Sequence, residues 1–273
     1  MKLTATLLGC GSSGGVPRVG FGWGSCDPLE PRNRRQRCAL LLEQDGAEGG
    51  RTTVLIDTGA DMRQQLLDAE VKAVDGVLYT HDHADHTHGI DDLRVLALYQ
   101  RSLVDVYADR RTASLLRSRF DYCFETPPGS SYPPILTLNT ITVGQAVTIG
   151  GAGGSITALP FEQDHGDIQS LGFRIGNLAY SSDVNGLSKE SEALLQGLDV
   201  WIVDALRPTP HPSHWSLPET LAWIEKLKPR RAILTNMHTD MDYQTLRRTL
   251  PAGVEPGHDG LRIDLMRPEA KRL

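Results

Sequence analysis

The chain is poor in cysteine, in net positive charge and in long apolar runs, and each shortage argues against a class of protein. Its four cysteines, Cys10, Cys26, Cys38 and Cys123, form no CxxC pair and no dense framework in 273 residues. That argues against a disulfide-stapled secreted scaffold, and the four read as buried free thiols in a reducing compartment. Lys and Arg number 28 against 34 Asp and Glu, a formal net charge of -6. A groove that tracks a long nucleic acid needs a basic excess, so no long nucleic acid is expected as a partner. A small anionic substrate stays compatible, because the charge of a bound metal outweighs the global balance locally. No apolar run approaches the length of a membrane span. Met1 to Leu8 is too short for the apolar region of a signal peptide, and no small-residue cleavage pattern follows it. The expectation is a cytoplasmic protein with no membrane partner.

What is present is ordinary for a globular protein: 40% hydrophobic and 23% charged residues, in a chain long enough for a substantial core. Short apolar runs predict strands at Leu3–Leu8, Ala39–Glu43, Thr53–Ile56, Val77–Thr80, Val104–Tyr107 and Ile141–Ile149. Further strands are expected at Ile156–Leu159, Leu171–Ile175, Leu178–Ser181, Val200–Val203, Ala232–Thr235 and Leu261–Leu265. Helical spacing appears at Met62–Glu70, Ile90–Tyr99, Thr112–Phe120, Lys189–Leu195, Pro218–Leu227 and Tyr243–Thr249, with Pro218 suited to a helix start. Gly9–Gly24, Gln44–Arg51 and Thr126–Pro134 read as loops. None is long enough for a linker and no short repeat is visible, so residues 1–273 are expected to form a single domain. Irregular alternation of strands and helices suggests a mixed sheet sandwich with helices outside.

The strongest motif is His81-Asp82-His83-Ala84-Asp85-His86, directly after Val77-Leu78-Tyr79-Thr80. In an extended segment alternate residues point the same way, so His81, His83 and Asp85 converge as the strand ends, and His86 joins if the chain turns. Imidazole and carboxylate together suit zinc, manganese or iron, and such a density of polar groups is hard to explain as packing. One segment does not complete two coordination spheres. Polar residues just past other strands are the candidates to do so: Asp57, His165, Asp183 and His238. Taken singly, each is as easily a turn, cap or structural residue.

Taken together, HxHxDH followed by distant His, Asp and His resembles the metallo-β-lactamase superfamily. The resemblance runs from Leu8-Gly9-Cys10-Gly11 and Gly14-Gly15-Val16-Pro17, through Leu55-Ile56-Asp57-Thr58-Gly59, to Asp259-Gly260-Leu261. The glycine loop, Arg34-Arg35-Gln36 and Ser213-His214 look closest to its phosphoribosyl cyclic phosphate phosphodiesterase branch. It implies an α/β (α+β) fold, a four-layer αββα sandwich with a dinuclear metal site at the sheet edge. It also implies two divalent ions, Mn or Zn with Fe as a further option. His81, His83 and His165 would hold the first ion, and Asp85, His86 and His238 the second. Asp183 would bridge them and Asp57 would orient a ligating histidine. His88 and Asp82 fall outside the pattern and are expected at the surface or behind the ligands. Members of that branch carry several cysteines for a separate structural zinc, whereas Gly22–Pro28 holds only Cys26, so no third metal is expected.

The implied chemistry is hydrolysis of a small phosphodiester, cyclic or nucleotide, by a metal-bridging hydroxide. Asp85 and Asp183 serve as catalytic metal ligands. His214 is the candidate general acid for the leaving alkoxide, with His211 a nearby competitor and Asp204 a candidate to orient it. The Gly9–Val16 loop is either an anion cradle or a tight turn. Arg32, Arg34, Arg35 and Arg37 form the densest basic cluster; one is a candidate to bind phosphate bidentately, and the commoner outcome for such a run is a solvated face with one or two structural salt bridges. The resemblance suggests a homodimer. Competing readings are a tRNA 3′-processing endonuclease, a thioester hydrolase and a non-catalytic nucleotide-binding member of the fold.

Overall fold

In a computed structural model, residues 2–265 are described. Among the described residues fifteen strands form two sheets. The first contains β1 (Lys2–Gly9), β2 (Ala39–Asp45), β3 (Arg51–Ile56), β4 (Gly76–Leu78), β5 (Val104–Ala108) and β6 (Leu136–Thr140). The second contains β7 (Val147–Gly151), β8 (Gly154–His165), β9 (Ile168–Ile175), β10 (Leu178–Ser181), β11 (Gly186–Leu187), β12 (Val200–Asp204), β13 (Arg231–Thr235) and β14 (Val254–Pro256). The last strand, β15 (Leu261–Leu265), returns to the first sheet beside β1, giving the order β15-β1-β2-β3-β4-β5-β6. The second sheet runs β11-β8-β9-β10-β12-β13-β14, with β7 beside β8. In each sheet an antiparallel half gives way to a parallel one, at β3/β4 and at β10/β12.

Strand alternation sorts the core. Leu40, Leu42, Val54 and Ile56 face one cluster together with Phe161, Phe173, Trp201 and Ile233 of the second sheet. Ala39, Leu41 and Leu55 face the other, with Met62, Leu66, Leu93 and Leu116. A strand apolar on both faces is covered on both faces. Here α1 (Met62–Asp68), α3 (Leu93–Gln100) and α4 (Arg110–Arg119) cover the outer face of the first sheet, near the short α2 (Ala84–Thr87) and α5 (Asp121–Phe124). α7 (Leu217–Leu227) and α8 (Tyr243–Thr249) pack against the second sheet, and α6 (Lys189–Leu194) lies along β8. The result is the expected αββα sandwich. Sequence-coded stops set the helix starts: Asp109 accepts from Thr112 N, Asp242 from Thr245 N, and Glu219 reaches back to Ser216 N.

Three expectations are corrected. Of the strand expected at Ile141–Ile149 only Val147–Ile149 is strand, the start of β7; a turn closed by Gln145 N to Thr142 O precedes it, and β6, which ends at Thr140, lies where no strand was expected. The strand expected to run to Thr80 stops at Leu78, because Asp57 Oδ1 captures Thr80 N at 2.8 Å. His165 does not come after a strand that ends at Leu159; it is the last residue of the twelve-residue β8. No helix among the described residues is long and apolar enough to cross a membrane.

Candidate metal centre

Strand ends from both sheets converge on one cavity. β4 releases Thr80 to His83, β8 delivers His165, Asp183 follows β10, Asp204 ends β12, and Asn236 and His238 follow β13. The loop between β12 and α7 adds His211, Ser213 and His214. His83, Asp85, His165, Asp183, His214 and His238 line a cavity of about 270 Å³ with Ser12, Ser13, Arg18 and Arg207.

The motif is not extended throughout. His83 is the N-cap of α2, so Asp85 and His86 arrive by a helical turn rather than by strand alternation. That turn is seated tightly on the segment after β3. Thr58 N donates to His86 O at 2.8 Å, and Gly89 N donates to Thr58 O at 2.8 Å. A Cβ on Gly59 would lie 2.2 Å from Asp85 O, so only glycine fits there.

Hydrogen bonds fix which nitrogen of each histidine faces the cavity. His165 Nδ1 lies 2.7 Å from Ser213 O, and a carbonyl only accepts, so the proton is on Nδ1. Asp57 Oδ2 accepts from His86 Nδ1 at 2.7 Å and from Thr80 Oγ1 at 2.8 Å. Since the Thr80 hydroxyl donates to Asp57, it accepts from His81 Nδ1 at 2.9 Å. In the neutral form of all three rings Nε2 is therefore the lone-pair nitrogen. Asp57, at φ 67 and fully buried, orients two histidines where one was expected.

The lone pairs of His81 and His86 meet no donor among the described residues, whereas that of His165 lies 3.2 Å from His83 Nδ1. His81 Nε2, His86 Nε2 and Asp183 Oδ1 are buried without a hydrogen-bond partner among the described residues. His86 Nε2 stands 3.1 Å from Asp183 Oδ1 and 3.4 Å from Asp85 Oδ2, close enough for an ion pair yet not aligned as a hydrogen bond. With His86 neutral, lone-pair atoms this close repel unless a cation sits among them; with none there, His86 itself takes up the proton. The titrations carry the same imprint. Burial pulls His86 down, but Asp183, Asp85 and Asp57 overcome it and hold its pKa well above the usual value. Burial pushes Asp183 up, yet His86 above all drives it well below the carboxylate range. Burial and the neighbouring imidazoles leave His81 well below its usual value, hence neutral.

Three groups have ligand atoms near enough to share a cation: His81, His83 and His165; His81, His86 and Asp183; and His165, Asp183 and His214. The donor set fits zinc, manganese or iron. Asp85 and His238 belong to none of these groups. His238 Nε2 instead meets Arg18 Nη1, while its Nδ1 faces Thr239 Oγ1 and Asp240 Oδ2. One lone pair does not serve a guanidinium and a metal at once.

His214 Nδ1 lies 2.7 Å from Asp204 Oδ2. Burial opposes its charge, but Asp204 overcomes this and raises its pKa to about 9. Burial raises Asp204 to about 7 despite His214. His211 accepts from Ser213 N at 3.3 Å, and its pKa is lowered, by burial first and then by His214.

Asp82 is not at the surface. It is 4% exposed and bound by Arg111 Nε at 3.3 Å and Arg119 Nη2 at 3.1 Å. His88 is exposed, edge-on to Phe120. The arginine run is not uniformly solvated: Arg35 is 2% exposed and donates to Met241 O, Arg37 pairs with Asp61, and Arg32 and Arg34 lie over Tyr243 and Trp23. None of the four lines the cavity. Arg18, Arg207 and Asn236 do, and the sequence did not single them out. All four cysteines are buried and free.

The two-sheet sandwich and the histidine-carboxylate cluster define a protein of metallo-β-lactamase fold with a centre able to bind metal. The chain belongs to the β-lactamase superfamily: the family model described as β-lactamase superfamily domain matches residues 52–237. A diphosphatase of the PhnP family, known from its crystal structure, is 33% identical with a TM-score of 0.86, over 97% of this chain and 98% of that one. Zinc-bound PqqB from Methylobacterium extorquens shares the fold at 16% identity and a TM-score of 0.75, over 96% of this chain and all of that one. An octanoyltransferase of Porphyromonas gingivalis is 31% identical over 93% of this chain but only 50% of its own length. The chain thus spans about half the length of the curated relative it matches.

Proposed function

We propose that the chain is a metal-dependent hydrolase of a small phosphodiester, cyclic or nucleotide, with two divalent ions in the cavity. The observation that carries this is the set His81 Nε2, His86 Nε2 and Asp183 Oδ1, buried and without a hydrogen-bond partner among the described residues, with both rings fixed by hydrogen bonds behind them. The diphosphatase relative, aligned along almost the whole chain, supports phosphorus chemistry in particular.

His81, His83 and His165 would hold one ion, His86, Asp85 and His238 the other, and Asp183, common to two of the three groups, would lie between them. Ligation through His238 requires Arg18 to leave Nε2. When bound, such ions lower the pKa of a water so that it acts as nucleophile, and they offset charge on phosphoryl oxygens. The protein supplies the remaining steps. Asp57 and Thr80 keep His81 and His86 in one tautomer. Asp204 holds His214 by Nδ1 and favours its protonated form, so at neutral pH Nε2 carries the proton that the leaving alkoxide needs. Buried carboxylate behind imidazole also fixes the ring plane, so the proton is delivered without a rotamer search.

The test is hydrolysis of bis(p-nitrophenyl) phosphate by protein loaded with manganese or zinc, alongside a chromogenic thioester and a precursor tRNA. Phosphodiester turnover that chelator abolishes supports the reading. Turnover of the thioester or the tRNA alone replaces it with the corresponding alternative.

A further inference from the structure

We propose that a second cavity, on the outer face of the first sheet where β1 and β2 meet the end of α1, binds a small aliphatic diamine. It measures about 270 Å³ and shares no lining residue with the metal centre.

Charge provides the first argument. Strand alternation puts Leu8 of β1 and Leu41 and Glu43 of β2 on this face, and α1 covers it only as far as Asp68. Four carboxylates line the cavity, Glu43, Asp68, Glu70 and Asp259, against a single cation, Arg262. Arg51 neutralises Glu43 at 2.7 Å, whereas Asp68 holds only the neutral amide of Gln64, also at 2.7 Å. Asp259 accepts from Cys10 N at 3.1 Å and from Gln36 N at 2.7 Å. Burial raises its pKa to about 7 despite those donors, so full ionisation at neutral pH calls for a cation in contact.

Two amides provide the second. Gln65 is 2% exposed, and its Nε2 donates to Arg37 O at 2.8 Å. Gly9 makes room for that amide, since a Cβ there would lie 2.6 Å from Gln65 Nε2. A carbonyl only accepts, so the bond fixes which end of the amide faces Arg37 and turns Oε1 the other way. Gln36 is pinned by its backbone, with N donating to Asp259 and O accepting from Gly11 N at 2.8 Å. Oε1 of Gln65 and Oε1 of Gln36 are both buried without a hydrogen-bond partner among the described residues, and both residues line the cavity. Buried acceptors without donors are costly, and here they stand beside an unneutralised carboxylate, which together select a cation that carries N–H groups. The groups of side chains near enough to share a metal ion all lie in the metal centre, so the carboxylates here are spaced for something longer than a bare ion. The two amides and Asp259 offer one cluster of acceptors, Asp68 and Glu70 a second at the end of α1, and Leu8, Leu41 and Ala69 supply apolar surface for the methylenes of a diamine.

The experiment is calorimetric titration of the full-length, metal-loaded protein with 1,4-diaminobutane, with 1,4-butanediol as the uncharged probe of the same length and calcium as the bare cation. The diamine is expected to bind and the other two are not. Gln36→Met and Glu70→Gln should each weaken binding about tenfold, the scale of one charge-assisted contact. Arg262→Gln should tighten it by removing the one cation on the wall, a gain that misfolding does not imitate. Glu48→Gln, which neutralises an exposed carboxylate outside the cavity, should leave it unchanged and so separates a site from attraction to an acidic chain. Absence of diamine binding, equal affinity in all variants, or equal binding of the diol overturns the proposal. Calcium binding that Gln36→Met and Glu70→Gln weaken, with no binding of the diamine, overturns it in favour of a metal ion. Unchanged circular dichroism shows that the variants fold.

Discussion

Asp57→Asn should cripple metal binding while leaving the fold intact, because it inverts a tautomer rather than removing a ligand. Asn matches Asp in size and tolerates the left-handed backbone at φ 67. Its carbonyl can still accept from Thr80 N. Its amide, however, would confront two donors, His86 Nδ1–H and the Thr80 hydroxyl, both now within 2.8 Å of Asp57 Oδ2. The clash is relieved when the His86 proton moves to Nε2, which places N–H where the lone pair stood. The Thr80 hydroxyl is freed as well, so His81 loses the acceptor chain that fixes its Nε2. Replacing a partner behind one ligand costs about 10- to 100-fold in metal affinity, or roughly 1.4–2.8 kcal/mol, and two ligands are affected here. The assay is competition with a fluorescent chelator at fixed pH, with circular dichroism to establish folding. A folded Asp57→Asn protein that binds metal with wild-type affinity and stoichiometry would refute the tautomer argument.

Chelation should lower Tm and readdition of metal restore it, because a ligand at 100 times its Kd contributes about 2.7 kcal/mol; a Tm indifferent to metal, read by calorimetry, counts against the centre. His214→Ala should cut kcat by about 10²- to 10⁴-fold and remove an alkaline limb from the pH-rate profile. That limb lies at or below the pKa of about 9 that the metal-free pair gives His214, since nearby cations favour proton loss. In the metal-free protein the sign is that of a raised histidine: its stabilisation is present below pH 6.5 and lost as pH rises to about 9, which urea melts across that window would register. Asp82→Asn weakens the ion pairs to Arg111 and Arg119 at a buried site and should cost roughly 1–3 kcal/mol in a denaturant melt, with weaker metal retention because residue 82 joins His81 to His83.

The legible parts of the sequence were those with local causes. HDHADH announced itself because no packing role calls for that density of imidazole and carboxylate, and His165, Asp183 and His238 stood beside clear apolar strands. β6 was displaced because Leu136–Thr140 is a polar-edged strand with a single neighbour, while Ile141 and Val143 imitate strand residues inside a turn. Arg35 looked solvated because its compensation comes from the carbonyl of Met241, far away in the chain. Arg18 and Arg207 were invisible for the same reason: a lone arginine in a loop has no pattern, and only the fold brings it to the cavity. Asp57 was recognised, but its second client, His81 through the Thr80 hydroxyl, depends on side-chain geometry that spacing does not encode.

The centre also bears on how the sandwich holds together. His81, His83 and His86 hang from the first sheet, whereas His165 and Asp183 belong to the second. Each group that could share a cation and contains His81 draws ligands from both sheets. A bound ion therefore ties the sheets to each other at one edge, in addition to the apolar layer between them. The unfolded chain has no such site, so binding free energy enters the global unfolding reaction rather than a loop opening. Without the ion, Asp183, Asp85 and Asp57 are balanced by one imidazole, His86, whose pKa they hold well above its usual value, so the contact between the sheets there depends on that ring being protonated. The metal-dependent rise in stability should for this reason slow hydrogen exchange in the central strands of both sheets together. Protection confined to the Thr80–Gly89 turn would mean that the ion braces only a loop.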